Sequence, residues 1–401
     1  MVLSSQRGQD GFQSGPGAPS HHHGQHRRCT RPGCRFSQHP ATLRLVGDDV
    51  HGHRTLVPDT RTRGSTSALY HLGCAGGPPP VLAAVRLPPY PPMRALVTGA
   101  AGFVGRHLTA HLAACGDDVM GTDRSEGGPD LLDSVGLDRL VAEVDPEVVF
   151  HLAGQADVGG SWEAPADTLR VNAEGTLHLL EAVRSVGGAR VITVTSADIY
   201  GVVRPEDLPL SETAPLRPVS PYAASKAAAD LMALQAHLGY GMDVVRARSF
   251  NHLGPGQDDR FVCSALAARI AAAEAGRGDE VRVGNLAARR DFTDVRDVVR
   301  AYRCLANDGR AGAAYNVCTG TSVAVSEVAE RLMGLANRPL RLVDDPSLHR
   351  PVDVPDLRGD PTVLRTDTGW EPEVALDDTL TDLLADWRRR LPDAIPADWA
   401  P

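Results

Sequence analysis

From residue 93 onward the sequence predicts an α/β fold, a doubly wound parallel sheet with helices on both faces. Three observations predict it. A short apolar run at residues 95–98 leads directly into Gly99, Gly102 and Gly105, and a helical pattern through Leu108 and Leu112 follows. A second apolar run, residues 118–121, ends at the acid Asp123. Strand-like and helix-like stretches then keep alternating: PEVVFHLAGQ, VNAEGTLHLLEAVRSVG, ARVITVTSADIYG. Alternation of this kind calls for crossover helices covering both faces of a parallel sheet. Ligands of such sheets sit at the carboxyl ends of the strands.

The first unit, strand–glycine turn–helix–strand–acid, carries a specific chemistry. Glycines let the backbone approach a pyrophosphate lying at the positive end of a helix. An acid about 20 residues further on can accept hydrogen bonds from the adenosine ribose. This is the dinucleotide-binding, or Rossmann, fingerprint. Asp123 repels a 2′-phosphate and favours NAD(H); Arg124 beside it offers that phosphate a partner. The expected cofactor is therefore NAD(H) or NADP(H).

Bulk properties exclude several classes. The 401 residues suffice for two domains or one large one, and 42% hydrophobic content is ordinary for a soluble protein. No apolar run approaches a membrane span, and the opening MVLSSQRGQDGFQSG lacks the apolar region of a secretory signal. Seven scattered cysteines suit reduced thiols in a cytoplasm better than a disulfide framework. The net charge of -9 is uneven: residues 1–92 hold ten Arg and four Asp, with no Lys or Glu, which leaves about -15 on the remainder. An acidic body argues against nucleic acid as a partner.

Residues 1–92 are rich in Gly, Pro, Ser, His and Arg and show no sustained apolar period. They are expected to form a disordered extension. HHHGQHRRCTRPGC contains metal-ligand residue types, but its spacing fits no standard zinc finger, so no metal is expected. Met93 reads as a clean domain start.

A catalytic set is expected from ARVITVTS and SPYAASKAAAD. Ser196 falls at the end of a strand, where ligands bind. Ser220-Pro221 starts a helix, so Tyr222 and Lys226, four apart, share one face. Lys226 is the only lysine of the chain; the other 40 Lys/Arg residues are arginine. An ammonium beside Tyr222, together with the positive nicotinamide of an oxidised cofactor, can lower its phenol pKa from about 10 toward neutrality. A compact lysine head can also reach ribose hydroxyls where arginine's planar fork does not fit.

With TGAAGFVG, HLAGQ, VNAEGT, TSADIYG, SPYAASK, FNHLGPG and RRDFTDVRD in view, the chain from Met93 resembles the extended short-chain dehydrogenase/reductases that act on nucleotide sugars. The resemblance covers about 300 residues. It implies a dinucleotide-binding domain over 93–250 and a smaller α/β substrate domain over 251–401, with part of 294–320 returning to the first. It implies a homodimer through the helix carrying Tyr222 and the one after Asn172. The cofactor residues it implies are Gly99, Gly102, Phe103, Val104, Gly105, Asp123, Arg124, Asp130, Leu131, Leu152, Ala153, Gly154, Tyr222 and Lys226. Asn251 is expected at the substrate's sugar or diphosphate. Arg290, Arg350 and, more weakly, Arg282 are expected at the diphosphate. His252 is expected to be structural, residues 388–390 to be a solvated arginine face, and the core cysteines to be small hydrophobes.

Relatives of this kind reduce, epimerise or dehydrate 4-keto sugars. Dehydration needs a proton-handling carboxylate after Ser196, and this chain has Ala197 followed by Asp198, a shorter acid counted among the catalytic candidates. VRVGNLAARRDFTDVRDVVRAY and HRPVDVPDLRGDPTVLRTDTGWEP look like GDP-6-deoxy-4-keto-D-mannose reductases, which form GDP-D-rhamnose. The expected reaction is therefore NAD(P)H-dependent reduction of a GDP-4-keto-6-deoxyhexose. GDP-mannose 4,6-dehydration and nucleotide-sugar 4-epimerisation are the alternatives, and a non-catalytic dinucleotide sensor a remote third.

Overall fold

This computed structural model describes residues 43–48, 54–58, 90–348 and 354–394. The chain divides into two compact units, residues 1–84 and 85–401. In the first, β1 (Leu43–Asp48) and β2 (Arg54–Pro58) pair antiparallel. They lie within the segment expected to lack regular structure; the rest of that segment up to residue 89, the His- and Cys-rich stretch included, is outside the described residues.

The second unit opens with β3 (Arg94–Thr98), α1 (Phe103–Ala114), β4 (Asp118–Thr122), α2 (Ser134–Val144) and β5 (Val148–His151). Then come α3 (Pro165–Leu169), α4 (Gly175–Val186), β6 (Arg190–Ser196), α5 (Pro221–Tyr240) and β7 (Val244–Ser249). After them run β8 (Asn251–Leu253), α6 (Val262–Glu274), β9 (Glu280–Val283), β10 (Arg289–Asp294), α7 (Val295–Asp308) and β11 (Ala314–Val317). The chain finishes with β12 (Ser322–Ala324), α8 (Val325–Gly334), β13 (Arg341–Asp344), β14 (Asp356–Leu357), α9 (Thr362–Thr368) and α10 (Leu376–Ala394).

Six of these strands form one parallel sheet in the order β11-β7-β6-β5-β3-β4. The strands are short and apolar because both faces are covered. On one face Leu108, Leu112, Val298, Tyr302 and Leu305 pack against Val97, Phe150 and Ile192. On the other, Leu137, Val141, Leu179, Val183, Ala233 and Ala236 pack against Leu96, Val149 and Val191. The strand order reverses between β3 and β5, so the turns leaving those two strands flank a crevice at the carboxyl end. α7 and β11 belong to this layer, although residues 250–294 separate α7 from β7.

The remaining strands form a mixed group in which β10 pairs with β8 and β14 in parallel and with β12 antiparallel, plus the parallel pair β9–β13. α6, α8 and α10 cover it around Leu266, Ile270, Leu332, Leu383 and Trp387.

One expected element differs. The helix expected across 171–187 is α4, entered through a π-helical turn at Arg170–Glu174 that places Asn172 inside the molecule. Such turns widen the helix by one residue and are common at functional sites.

The start of this unit is tied down locally. The Met93 amide donates to Asp117 Oδ1 at 3.1 Å, and Asp117 is gripped by Arg303 at 2.8 Å. Tyr90 adds an exposed hydrogen bond to Asp308 and lies under the Arg303 guanidinium. Among the described contacts, a chain beginning at Met93 loses those of Tyr90, which are exposed and worth about 1 kcal/mol. Its Tm, followed by circular dichroism, is expected within about 4 °C of the full chain.

Candidate active site

The glycine turn after β3 lies against the turn after β5. Gly99 adopts φ +74°, and a Cβ there would meet the Ala153 amide nitrogen at 2.7 Å. A Cβ on Gly105 would sit 2.0 Å from the Gly99 carbonyl oxygen. No other residue fits either position. The result is a bare backbone wall at the N-terminus of α1, whose N-cap, Gly102, supplies no side-chain acceptor for the first-turn amides. Helix amides without a cap and glycines without side chains are the donor set that a pyrophosphate requires. These residues fit a dinucleotide.

The wall opens onto a cavity of about 990 Å³. Among the expected cofactor residues, Gly99, Gly102, Phe103, Val104, Gly105, Asp123, Arg124, Asp130, Leu131, Leu152, Ala153, Gly154 and Tyr222 line it. Asp123 caps the short turn after β4, accepting from the Ser125 amide at 2.9 Å and hydroxyl at 2.7 Å. Arg124 pairs with Asp130 at 3.0 Å. Lys226 stands behind this lining. Its Nζ donates to the Val194 carbonyl at 3.4 Å and lies 3.4 Å from where a Cβ on Gly154 would be.

Local sequence places the reacting groups. Ser220 Oγ accepts from the Ala223 amide at 3.1 Å, Pro221 supplies the first helical residue, and α5 begins with Tyr222 already in its first turn. Its alanines let it lie close on the sheet. Ser196 ends β6 and accepts from the Asp198 amide at 3.1 Å, so Ser196 and Asp198 reach the cavity through one short turn, Ala197–Tyr200. Asn172 ties the two sides together. Its amide donates to the Gln155 carbonyl at 3.0 Å and to Ser225 Oγ on α5 at 2.9 Å, and its oxygen accepts from the Gln155 amide at 2.8 Å.

Burial governs the electrostatics of the reacting groups. Burial pushes the Tyr222 phenol up, and the Asp198 carboxylate beside it pushes the same way; the Ser196 hydroxyl, hydrogen-bonded to it, only partly offsets them. The Lys226 ammonium donates to the Val194 carbonyl. Burial lowers Lys226 itself to about 8. The phenol therefore holds its proton throughout the neutral range, the state a proton donor needs. His151 below the site is brought to about 3 by burial and by Lys226, and bridges Thr98 and Thr176 at 2.9 Å each as a neutral ring.

The substrate candidates separate. Asn251 and Arg290 line the cavity, and Arg290 donates to the Arg289 and Val354 carbonyls. Arg282 does not line it: it is half exposed on β9 and pairs with Asp345 at 3.7 Å, because its strand belongs to a separate two-stranded sheet. Arg350 lies outside the described residues. His252, at the cavity edge, stacks on Phe103 and hydrogen-bonds the Phe250 carbonyl. Cys263 and Cys318 are buried, whereas Cys115 and Cys304 are half-buried. Among the described residues no His, Cys, Asp or Glu side chains group as a metal site.

Sequence reasoning missed several cavity residues. The run at 388–390 is not a uniform solvated face. Arg388 pairs with Glu274, while Arg390 lines the cavity, stacks 4.0 Å from the Trp387 ring and donates to the Gln257 carbonyl at 2.9 Å. Arg106, Gln155, Trp162 and Gln257 also line it. Only the Trp387–Arg390 helical spacing could have hinted at Arg390; the others carry no signal in a single sequence.

Three comparisons place this architecture among known proteins. The family model described as GDP-mannose 4,6 dehydratase matches residues 128–383. A GDP-6-deoxy-D-mannose reductase of Pseudomonas aeruginosa is 40% identical over 300 residues, 74% of this chain and 98% of that protein. A UDP-glucose 4-epimerase of Mycolicibacterium smegmatis is 33% identical over 319 residues, 74% of this chain and 99% of the other. Among solved structures, that of RMD from Pseudomonas aeruginosa complexed with NADPH is similar with TM-score 0.68 and 39% identity, covering 74% of this chain and 99% of that one.

Two outcomes are expected at Lys226. Between about pH 8 and the unfolded value near 10.4 the unfolded chain holds a proton that the folded chain lacks. Folding therefore gains from this group as pH rises through that window, and the group costs most below about 8. Lys226→Met should thus raise stability at pH 7 by about 2 kcal/mol, seen as a higher Tm, while abolishing turnover. In the wild-type protein, kcat/KM should fall as pH rises past about 8, as the ammonium is lost; a flat profile to pH 10 would remove Lys226 from the chemistry.

Proposed function

This chain belongs to the GDP-mannose 4,6-dehydratase family, and from that membership we propose that it is the reductase of the group, converting the 4-keto group of a GDP-4-keto-6-deoxyhexose to an alcohol with NADPH or NADH, with GDP-D-rhamnose as product. One observation carries the choice among the family's reactions. After Ser196, where loss of water from a sugar needs an acid, the chain has Ala197, a methyl group in an apolar cluster with Tyr200, Phe250 and Leu357, and then Asp198, one methylene shorter than a glutamate. The 40% identity to a GDP-6-deoxy-D-mannose reductase over nearly that enzyme's full length supports the same reading.

The bound dinucleotide supplies a hydride to the carbonyl carbon. The protein does the rest. The glycine wall and α1 amides take the pyrophosphate, and Asp123, Arg124 and Asp130 border the adenosine end. Tyr222, protonated at neutral pH, gives its proton to the carbonyl oxygen as the hydride arrives. Ser196 donates a second hydrogen bond to that oxygen, holding it in line. Asp198 helps keep the proton on Tyr222 until it is needed, and Lys226, whose ammonium lies beside Gly154, would hold the nicotinamide ribose. Asn251, Arg290 and Arg390 face the substrate end. Oriented donors that need no rearrangement account for most of the acceleration.

Leu231 and Leu238 stand exposed on α5, 54% and 74%, which supports a homodimer through this helix. Four described cysteines are free, which supports a reducing compartment, and among the described residues no helix is long and apolar enough to cross a membrane.

Purified protein given GDP-4-keto-6-deoxymannose should oxidise NADPH or NADH, followed at 340 nm, with GDP-rhamnose identified by mass and NMR. Protein that leaves the reductant untouched, yet converts GDP-mannose without it, overturns the reductase in favour of the dehydratase. Tyr222→Phe should lose at least about 10³-fold in kcat while binding NADPH normally, since it removes the proton and little else.

A further inference from the structure

Helix α5 carries a third ionisable residue on the face of Tyr222 and Lys226. Asp230 lies four residues beyond Lys226 and eight beyond Tyr222, one and two turns along the same side. It is fully buried. Arg248 grips it bidentately, Nε to Oδ1 at 2.9 Å and Nη2 to Oδ2 at 2.8 Å. Arg246 donates to Oδ2 at 2.6 Å. The hydroxyl of Thr195, the residue before Ser196, comes within 3.5 Å of Oδ1.

The contacts continue to the other side of the site. Arg248 Nη1 donates to the Tyr200 hydroxyl at 3.0 Å and to the Glu212 carbonyl at 2.8 Å. Tyr200 closes the turn that presents Asp198, and donates in turn to Asn316 Oδ1 at 2.7 Å. The Glu212 carboxylate accepts from the Asn316 backbone amide at 2.9 Å and lies within the field of Arg248. Although burial opposes it, the two guanidinium groups hold Asp230 below the usual carboxylate range.

A buried ion cluster is a poor source of stability, since desolvation offsets most of the attraction. What it does supply is a single geometry, because each donor and acceptor must be met in one arrangement or left unpaired. We propose that Asp230 is a positioning residue: through the Thr195 hydroxyl it ties the helix bearing Tyr222 and Lys226 to the strand end bearing Ser196, and through Arg248 and Tyr200 to the turn bearing Asp198. This rests on reading those four as the reacting groups. Displacement by about 1 Å between such groups costs on the order of 10²-fold in rate.

The molecule contains its own control. Asp117 and Arg303 form an equally buried pair at 2.8 Å, joining α7 to the turn before β4 and touching none of the reacting groups. The experiment compares Asp230→Asn with Asp117→Asn, both below their unfolding range. Active sites are counted by NADPH fluorescence titration, and reduction of GDP-4-keto-6-deoxymannose is measured per site. Asp230→Asn should lower kcat at least about 30-fold while the NADPH Kd and the sugar KM stay within about threefold. Asp117→Asn should keep kcat per site within about threefold despite a comparable loss of Tm. If Asp230→Asn does not fold, Arg248→Lys is measured instead; it keeps the charge but loses the fork and the reach to Tyr200, and about a 10-fold fall in kcat is expected. Equal kcat per site in the position-230 or 248 variant and the Asp117 control overturns the proposal, as does a change confined to KM. Failure of the reductase reading shows differently, as wild-type protein that oxidises no NADPH.

Discussion

Everything at this site depends on how closely two turns approach. The loop leaving β3 touches the loop leaving β5 through the Gly99 and Ala153 backbones, at a distance that leaves no room for a Cβ. That contact fixes α1 relative to β5 and bares the first-turn amides. It also sets Gly154 against Asn172 and Lys226, so the helix with the reacting phenol is registered against the wall that takes the dinucleotide. A parallel sheet alone leaves a crevice at its switch point; this contact gives the crevice its floor.

Charge then divides the work between two regimes. Near the adenosine end the paired acid and arginine, Asp130 and Arg124, are exposed to solvent. Around α5 the ionisable groups are buried, and each burial has a stated consequence: a phenol that keeps its proton, a lysine with a weakened hold on its own, an imidazole that stays neutral. The Lys226 head donates to the Val194 carbonyl. Four residues along a helix guarantees a shared face, not a shared direction, and the lysine head follows the nearest carbonyl.

Much of this was legible in the sequence because the relevant constraints are local. Gly99, Gly102 and Gly105 announce the turn, Asp123 the end of the next strand, and Ser-Pro-Tyr the start of α5. The substrate side was less legible. Arg282 and Arg290 look alike in the sequence, but one lies on β9 and the other on β10, and only sheet membership separates them. Arg390 was read as a surface residue because a run of three arginines looks solvated; a single helix turn toward Trp387 changes that. The π-turn at Asn172 and the partners of Asp230 are long-range facts, set by residues 16 to 53 positions away.

The scarcity of lysine has a consequence for handling the protein. With one ε-amine in 401 residues, and that one enclosed behind Gly154, reagents that modify amines meet almost nothing on the surface of the folded chain. Random coupling through lysine, the usual route to dyes, resins and crosslinks, is closed. By the same token, acylation of Lys226 becomes a clock for the opening of the crevice, read against a background that is nearly blank.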